Sequence, residues 1–262
     1  MIAPVDTSSQ KILAEIIALR LGALGLQVER SHTYDSVAGA HQAVLAHEAD
    51  IAIEYSGAAY MAILHHERPE PQARALVSDR VRSEYAGGQQ LKWFEPLGFA
   101  DPFVLVVQRD GVHTISDAER KPPWALGTGP EFLTRADGFD GLMQAYPRLR
   151  WSKPAETMPM TELYGALAIG RANMIVGHAT DSRLSQADVC ALTDDQHLLP
   201  PEDASIVARF DSLSSYAGME QALAFLSGRF SLKQMRAMDA EVENQHRAPG
   251  DVAAEFIARW NK

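Results

Sequence analysis

Cysteine is nearly absent. Cys190 is the only one in 262 residues, so no intramolecular disulfide can form and stability has to come from a buried core. Long apolar runs are absent as well: no stretch approaches the roughly 20 residues a membrane-spanning helix needs, so the chain as given is not integral to a bilayer. Basic residues are in deficit, with 24 Lys and Arg against 34 Asp and Glu, for a formal net charge of −10. That deficit argues against general nucleic-acid binding, which depends on clustered Lys and Arg. It favours positively charged or zwitterionic ligands. The opening Met1-Ile2-Ala3-Pro4-Val5 lacks the basic start and apolar core of a secretory leader. Two readings stay open, a cytosolic protein or a mature domain without its leader.

What is present is an ordinary globular composition, 46% hydrophobic and 22% charged. The length suits two compact lobes or one large α/β domain. Helical and strand patterns alternate from the start. Ile12, Leu13, Ile16, Ile17, Leu21 and Leu24 recur at helical spacing behind the caps Thr7 and Ser8, with Gly25 as a stop. A strand is expected about Leu26–Arg30, a helix over Ser36–His47, and an apolar strand Asp50–Glu54 ending at Tyr55. A helix near Pro71–Tyr85 and a strand Leu91–Glu95 follow. This rhythm predicts a mostly parallel sheet with ligands at the carboxyl ends of its strands.

Phe103–Val107 is the strongest strand signal, and the pattern restarts after it. Strands are expected at Trp124–Leu126, Leu149–Trp151 and Asn173–Val176, with helices near Pro130–Tyr146 and Thr161–Ile169. A second apolar strand, Ala204–Arg209, follows Pro200-Pro201, and the chain closes with three helices ending at Trp260. Two restarts around two long apolar strands predict an α/β protein of two discontinuous lobes. Lobe one is expected over 1–106 and 208–262, and lobe two over 107–207. The two strands would cross between them as a hinge, with lobes of this kind closing on a ligand between them.

Several constellations carry chemistry. Glu54-Tyr55-Ser56-Gly57-Ala58 passes from strand to helix, where free N–H groups and an aromatic face could meet a ligand; an ordinary strand-to-helix turn is the plain alternative. Arg135-Ala136-Asp137-Gly138 lies inside the helix expected near Pro130. Arg135 could fork onto a carboxylate ligand or simply pair with Asp137. His178 and Asp181, with Ser182 beside them, suggest an acid–base pair, but no G-x-S-x-G elbow occurs. His65-His66-Glu67, His41 and His47 lack any metal-ligand spacing, and Gly127-Thr128-Gly129 lacks the Lys that grips phosphate. No cofactor or metal is expected.

Five segments in order resemble the osmoprotectant-binding proteins of ABC importers, which take glycine betaine, choline, carnitine and related solutes. Ser9-Gln10-Lys11-Ile12-Leu13-Ala14-Glu15-Ile16 is similar to the family's E-Q-x-I-L-x-E-I, and Glu48 through Gly57 to G-E-I-D-x-x-x-E-Y-T-G. Arg135 through Leu142 resembles R-x-D-G-Y-x-G-L. Leu163-Tyr164-Gly165-Ala166-Leu167 followed by Ala179–Arg183 resembles L-Y-x-A-L and S-T-D-G-R, and Asp194-Asp195 through Pro200-Pro201 matches D-D-x-x-x-F-P-P.

The resemblance implies a two-lobed periplasmic-binding-protein fold of type II with a two-strand hinge, and a receptor, not an enzyme, that delivers a small solute to an ABC permease subunit. It implies a place in the periplasm or anchored outside the cytoplasmic membrane. The negative charge and the absence of an amphipathic seam give no reason to expect an obligate oligomer, so a monomer is expected. The family cages a quaternary ammonium with four tyrosines, because a methylated ammonium donates no hydrogen bond and is held by π-faces, at about 0.5–2 kcal/mol each. Carried across, the cage falls on Tyr55, Phe103, His178 and Glu202. The carboxylate-binding Arg falls on Arg135, and an acidic residue near the second wall on Asp101. The same motifs add Gln10, Ser56 and Thr180. A lysine of some members falls on Val5, and a threonine on Ala58. Two aromatic walls are thus replaced, one by a carboxylate, which suits a cation that can donate hydrogen bonds, such as an amine, amidine or imidazole. Ergothioneine combines both demands. The other readings are a ligand-sensing effector domain and an enzyme built on His178 and Asp181.

Overall fold

The structure is a computed structural model that describes residues 1–67, 69, 75–185 and 188–261. Its chain forms two compact units, one of Met1–His65, Ala75–Asp101 and Pro201–Lys262, the other of His66–Arg74 and Pro102–Pro200. Unit one begins with β1 (Ile2–Ala3), α1 (Ser8–Gly22), α2 (Val37–Leu45), β2 (Ile51–Tyr55), α3 (Ser56–Ala58), α4 (Val77–Glu84) and β3 (Leu91–Trp93). Unit two contributes β4 (Phe103–Gln108), α5 (Ile115–Ala118), β5 (Leu126–Thr128), α6 (Pro130–Thr134), α7 (Phe139–Ala145), β6 (Glu156–Thr157), α8 (Met160–Ala168), β7 (Met174–His178) and β8 (Val189–Ala191). The chain returns to unit one with β9 (Ala204–Arg209), α9 (Phe210–Ser215), α10 (Met219–Ala224), α11 (Leu232–Glu243) and α12 (Pro249–Ala258). No described helix is long and apolar enough to cross a membrane.

Each unit is built on a mixed sheet. In unit one the order is β1-β2-β9-β3, and in unit two β6-β5-β7-β4-β8. β9 runs antiparallel to both β2 and β3, and β4 antiparallel to both β7 and β8, while β1 with β2 and β5 with β6 and β7 are parallel. The expected mostly parallel sheet is corrected in this respect. β4 and β9 are the strands that open each stretch after the chain passes from one unit to the other, and they are the ones that run antiparallel to their neighbours. Each of these strands lies whole within one sheet, so the units part at 101/102 and 200/201, a few residues ahead of the expected 106/107 and 207/208. At the edge of unit one the two segments leading to these points run antiparallel, Ala100 opposite Asp203.

Local chemistry explains the elements that position the site. Thr7 caps α1, its side chain accepting from the Gln10 N–H, and Ser36 caps α2 in the same way through Gly39. The buried face of α1, with Ile12, Leu13, Ile16 and Ile17, packs on one side of the unit-one sheet together with α10, α11 and α12. The other side holds α2, α4, Tyr85 and Trp93. In unit two, Phe103, Phe132, Leu142 and Tyr146 share one core, and Tyr164, Leu167 and Ile175 the other.

Three expectations need correction. Pro130–Tyr146 is not one helix: Arg135 is extended, φ −77° and ψ 142°, and α6 stops there. The chain doubles back so closely that a Cβ on Gly138 would lie 1.8 Å from the Phe132 carbonyl oxygen, which only glycine permits. The strands expected at Leu26–Arg30 and Leu149–Trp151 are reduced to single bridges, Ile2 to Arg30 and Trp124 to Trp151. The helix expected near Pro71–Tyr85 is present over Val77–Glu84 as α4, and residues 71–74 lie outside those described.

Candidate functional site

The expected site residues fall into two groups, one in each unit. In unit one, β2 ends at Tyr55 and α3 starts at Ser56, so an aromatic side chain sits where an apolar strand delivers a helix N-terminus. Tyr55 is opposite Ala204 of β9. Gln10 of α1 ties the region together. Its side-chain N–H donates to the Ile53 carbonyl at 3.0 Å and its amide oxygen accepts from the Val5 N–H at 3.3 Å.

Ser56 acts as a clasp. Its hydroxyl donates to the Pro201 carbonyl at 2.9 Å and accepts from the Asp203 N–H at 3.0 Å, while its own N–H donates to the Asp203 carbonyl at 3.1 Å. These bonds bring Glu202 to α3, where a carboxylate oxygen accepts from the Ala58 N–H at 2.9 Å. Glu202 therefore satisfies one of the helix's open donors and meets the positive end of its backbone dipoles. Asp101 is bonded through its N–H to the Glu202 carbonyl at 2.9 Å, so two acidic residues face each other on adjacent segments. Both are buried.

Sequence reasoning missed a third acid. Asp239 of α11 is buried, and Ser9, next to Gln10, donates its hydroxyl to Asp239 Oδ2 at 2.5 Å. Burial raises the Tyr55 phenol well above its ordinary value, and Asp101, Asp239 and Glu202 each add to that rise. One aromatic ring thus lies in the field of three carboxylates. The available signal was Asp239 on the inward face of α11, flanked by the buried Met235 and Met238.

In unit two, Phe103 of β4 is the register partner of His178 of β7, and their ring centroids lie 5.0 Å apart. Phe132 meets Phe103 edge-on at 5.3 Å, and the Arg135 guanidinium lies 4.9 Å from the Phe103 centroid. Arg135 forks onto Asp137, Nε to Oδ1 at 2.9 Å and Nη2 to Oδ2 at 2.7 Å, with Nη1 directed at Glu131 at 3.3 Å. The i,i+2 pairing is the plainer of the two sequence readings of Arg135. It is a buried pair, since Asp137 is fully enclosed.

Thr180 is buried in the turn after β7. In that turn the Asp181 carboxylate forks onto Arg183 at 2.9 and 2.7 Å, and Arg183 lies 4.2 Å over the Tyr164 ring. Asp181 is therefore engaged with Arg183 rather than orienting His178, and the acid–base pair of the enzyme reading is not assembled.

Over residues 1–259 the chain matches the family described as the substrate binding domain of ABC-type glycine betaine transport system. The chain belongs to this family. Family members are transport binding proteins and not enzymes, and this one is a substrate-binding component of ABC-type import. It is 27% identical over 245 residues to the carnitine transport binding protein OpuCC of Listeria monocytogenes, covering 90% of this chain and 78% of that protein. It is 25% identical over 266 residues to the ergothioneine transport permease/ergothioneine binding protein EgtU of Helicobacter pylori, covering 99% of this chain and 47% of that longer protein. In fold it resembles the crystal structure of a glycine betaine/carnitine/choline ABC transporter protein, with a TM-score of 0.80, 22% identity, and coverage of 98% and 97% of the two chains. The chain thus has the α/β fold seen in substrate-binding proteins of ABC transporters.

Proposed function

We propose that this substrate-binding component takes a small solute carrying a quaternary ammonium or another amine, of the betaine, choline, carnitine or ergothioneine kind, and hands it to an ABC permease subunit. Tyr55 and Phe103 supply π-faces, Glu202 and Asp101 supply negative charge, and His178 and Thr180 supply polar contacts. Gln10 and Ser56 hold Tyr55 and the 201–203 segment in place. Arg135, already forked onto Asp137, serves a ligand carboxylate as a nearby charge and not as a bidentate clamp.

The observation that supports the reading best is Tyr55 among Asp101, Asp239 and Glu202, all of them buried. An aromatic face in a field of carboxylates attracts a cation by both quadrupole and charge. Carboxylates in place of aromatic walls further favour a cation with N–H donors, for which a charged acceptor is the better partner. The protein works as a monomer outside the cytoplasm, either alone or joined to its permease.

Isothermal calorimetry against carnitine, glycine betaine, choline, ergothioneine and spermidine tests this reading. One of these solutes should bind with a Kd in the micromolar range or tighter. Binding of a neutral or anionic solute with none of the five bound would overturn it.

A further inference from the structure

On the side of β2 opposite Tyr55 lies a polar cluster that solute recognition does not use. Glu54 precedes Tyr55 on β2 and points into the core formed with α2 and α4. His41, Glu54 and Tyr85 are fully buried there. His41 Nδ1 lies 2.9 Å from Glu54 Oε1, and the Tyr85 hydroxyl donates to Glu54 Oε2 at 2.6 Å. The His41 and Tyr85 rings are 5.2 Å apart. The outer nitrogen of His41, Nε2, is buried and has no hydrogen-bond partner.

That orphaned nitrogen decides where the protons sit. With Nδ1–H donating to a Glu54 carboxylate, Nε2 is a bare lone pair, and an unpaired acceptor is tolerated better than an unpaired N–H. A proton added from solvent to Nε2 creates a charged buried donor with no acceptor in reach, so α2 must shift against β2 to hydrate it. Ionisable groups facing His41 are few among the described residues. β2 brings Glu54, the π-helical turn Tyr85–Gln89 brings Tyr85, and β1 brings none. Tyr60, in the turn Ala59–Ile63, lines the same core and has Arg80 of α4 5.8 Å above its ring.

We propose that the His41–Glu54–Tyr85 cluster is a proton-sensitive positioning unit: protonation of His41 is transmitted through β2 to Tyr55 and displaces the aromatic face of unit one. Glu54 and Tyr55 are consecutive on one strand, so a displacement of one carries the other. The consequence for solute affinity rests on Tyr55 being a solute contact, but the coupling itself lies within unit one.

The test uses the full chain without ligand, labelled with 15N-histidine and 13C-tyrosine and titrated from about pH 8 to about pH 5, the range in which histidine changes charge. We expect His41 Nε2 to begin as an unprotonated nitrogen, and the Tyr55 ring resonances to move with the His41 midpoint. In His41→Asn, whose amide still donates to Glu54, the Tyr55 movement should vanish. Calorimetry with carnitine should then show several-fold weaker binding at the acidic end for wild type and a flat profile for the variant. The proposal falls if His41 titrates while Tyr55 stays still, if His41 keeps one state throughout, or if Tyr55 moves equally in a folded His41→Asn. Should that variant not fold, the coincidence of the two wild-type midpoints decides alone. Failure of carnitine to bind wild type would count against the proposed solute class and leave the coupling result standing.

Discussion

Phe103 stands opposite His178 across the β4–β7 ladder, and the same ring carries the Arg135 guanidinium 4.9 Å from its centroid. The protein thus places its own cation on an aromatic group that the family resemblance assigns to a ligand ammonium. Phe103 packs unit two, and in the proposed function it also presents an edge or face to solute; substitution can separate the two.

Phe103→Ala removes the contacts to Phe132, His178 and Arg135 together. Unit two should lose about 3–5 kcal/mol, the usual cost of deleting a buried Phe. Phe103→Leu keeps most of the volume and should cost less than half of that, while losing all cation–π contact. Urea unfolding of both variants checks the stability difference. Calorimetry on Phe103→Leu should show binding weakened by roughly 0.5–2 kcal/mol.

Glu202 also does two things, capping α3 through the Ala58 N–H and lending charge near Tyr55. Glu202→Gln keeps an acceptor for that N–H, so stability should change by less than about 1 kcal/mol, whereas Glu202→Ala strands a buried donor at a cost of about 1–3 kcal/mol. Affinity should fall in both variants, more for an amine with N–H donors than for a fully methylated one. Glu202→Tyr should shift preference toward betaine-like solutes. Kd values unchanged from wild type in Glu202→Gln would remove this residue from the site.

Arg135→Met leaves the enclosed Asp137 without its fork. Breaking a buried ion pair from one side costs about 3–5 kcal/mol, more than the pair itself contributes. The double variant Arg135→Met with Asp137→Leu should recover most of that loss. A thermal melt of the three proteins checks the non-additivity.

Burial raises the phenols of Tyr55, Tyr85 and Tyr146, with Asp101, Glu54 and Asp194 respectively adding to it. Each is protonated in the folded protein at a pH where the unfolded chain, near pH 10, has begun to ionise. A folded-state pKa above the unfolded value means the stabilisation is complete below about pH 10 and is lost as pH rises further. Phenolate absorbance should therefore show three of the seven tyrosines silent until the chain unfolds in alkali. Tyr85→Phe should flatten part of that alkaline loss.

Much of this was legible in the chain. Thr7 and Ser36 announce their helices, the apolar run into Tyr55-Ser56-Gly57 marks the strand-to-helix corner, and β4 and β9 stand out as uninterrupted apolar strands. Other features were hidden for physical reasons. Arg135 reads as helical because nothing in its own window reports the approach of Gly138 to the Phe132 carbonyl. Asp239 belongs to a helix far along the chain from Tyr55, and only the packing of α11 on α1 joins them. β6 and β8 are two and three residues long, too short for alternation to show.

The placement of β9 also sets an order of events on the ribosome. It is the shared neighbour of β2 and β3, five rungs with one and three with the other, yet it is made after all of unit two. Residues 102–200 hold every strand of their own sheet and can close as they emerge. The first hundred residues cannot. Their two strand edges stay open until residue 209 has left the exit tunnel, and the nascent chain carries exposed β-edges of the kind that pair wrongly for that whole interval.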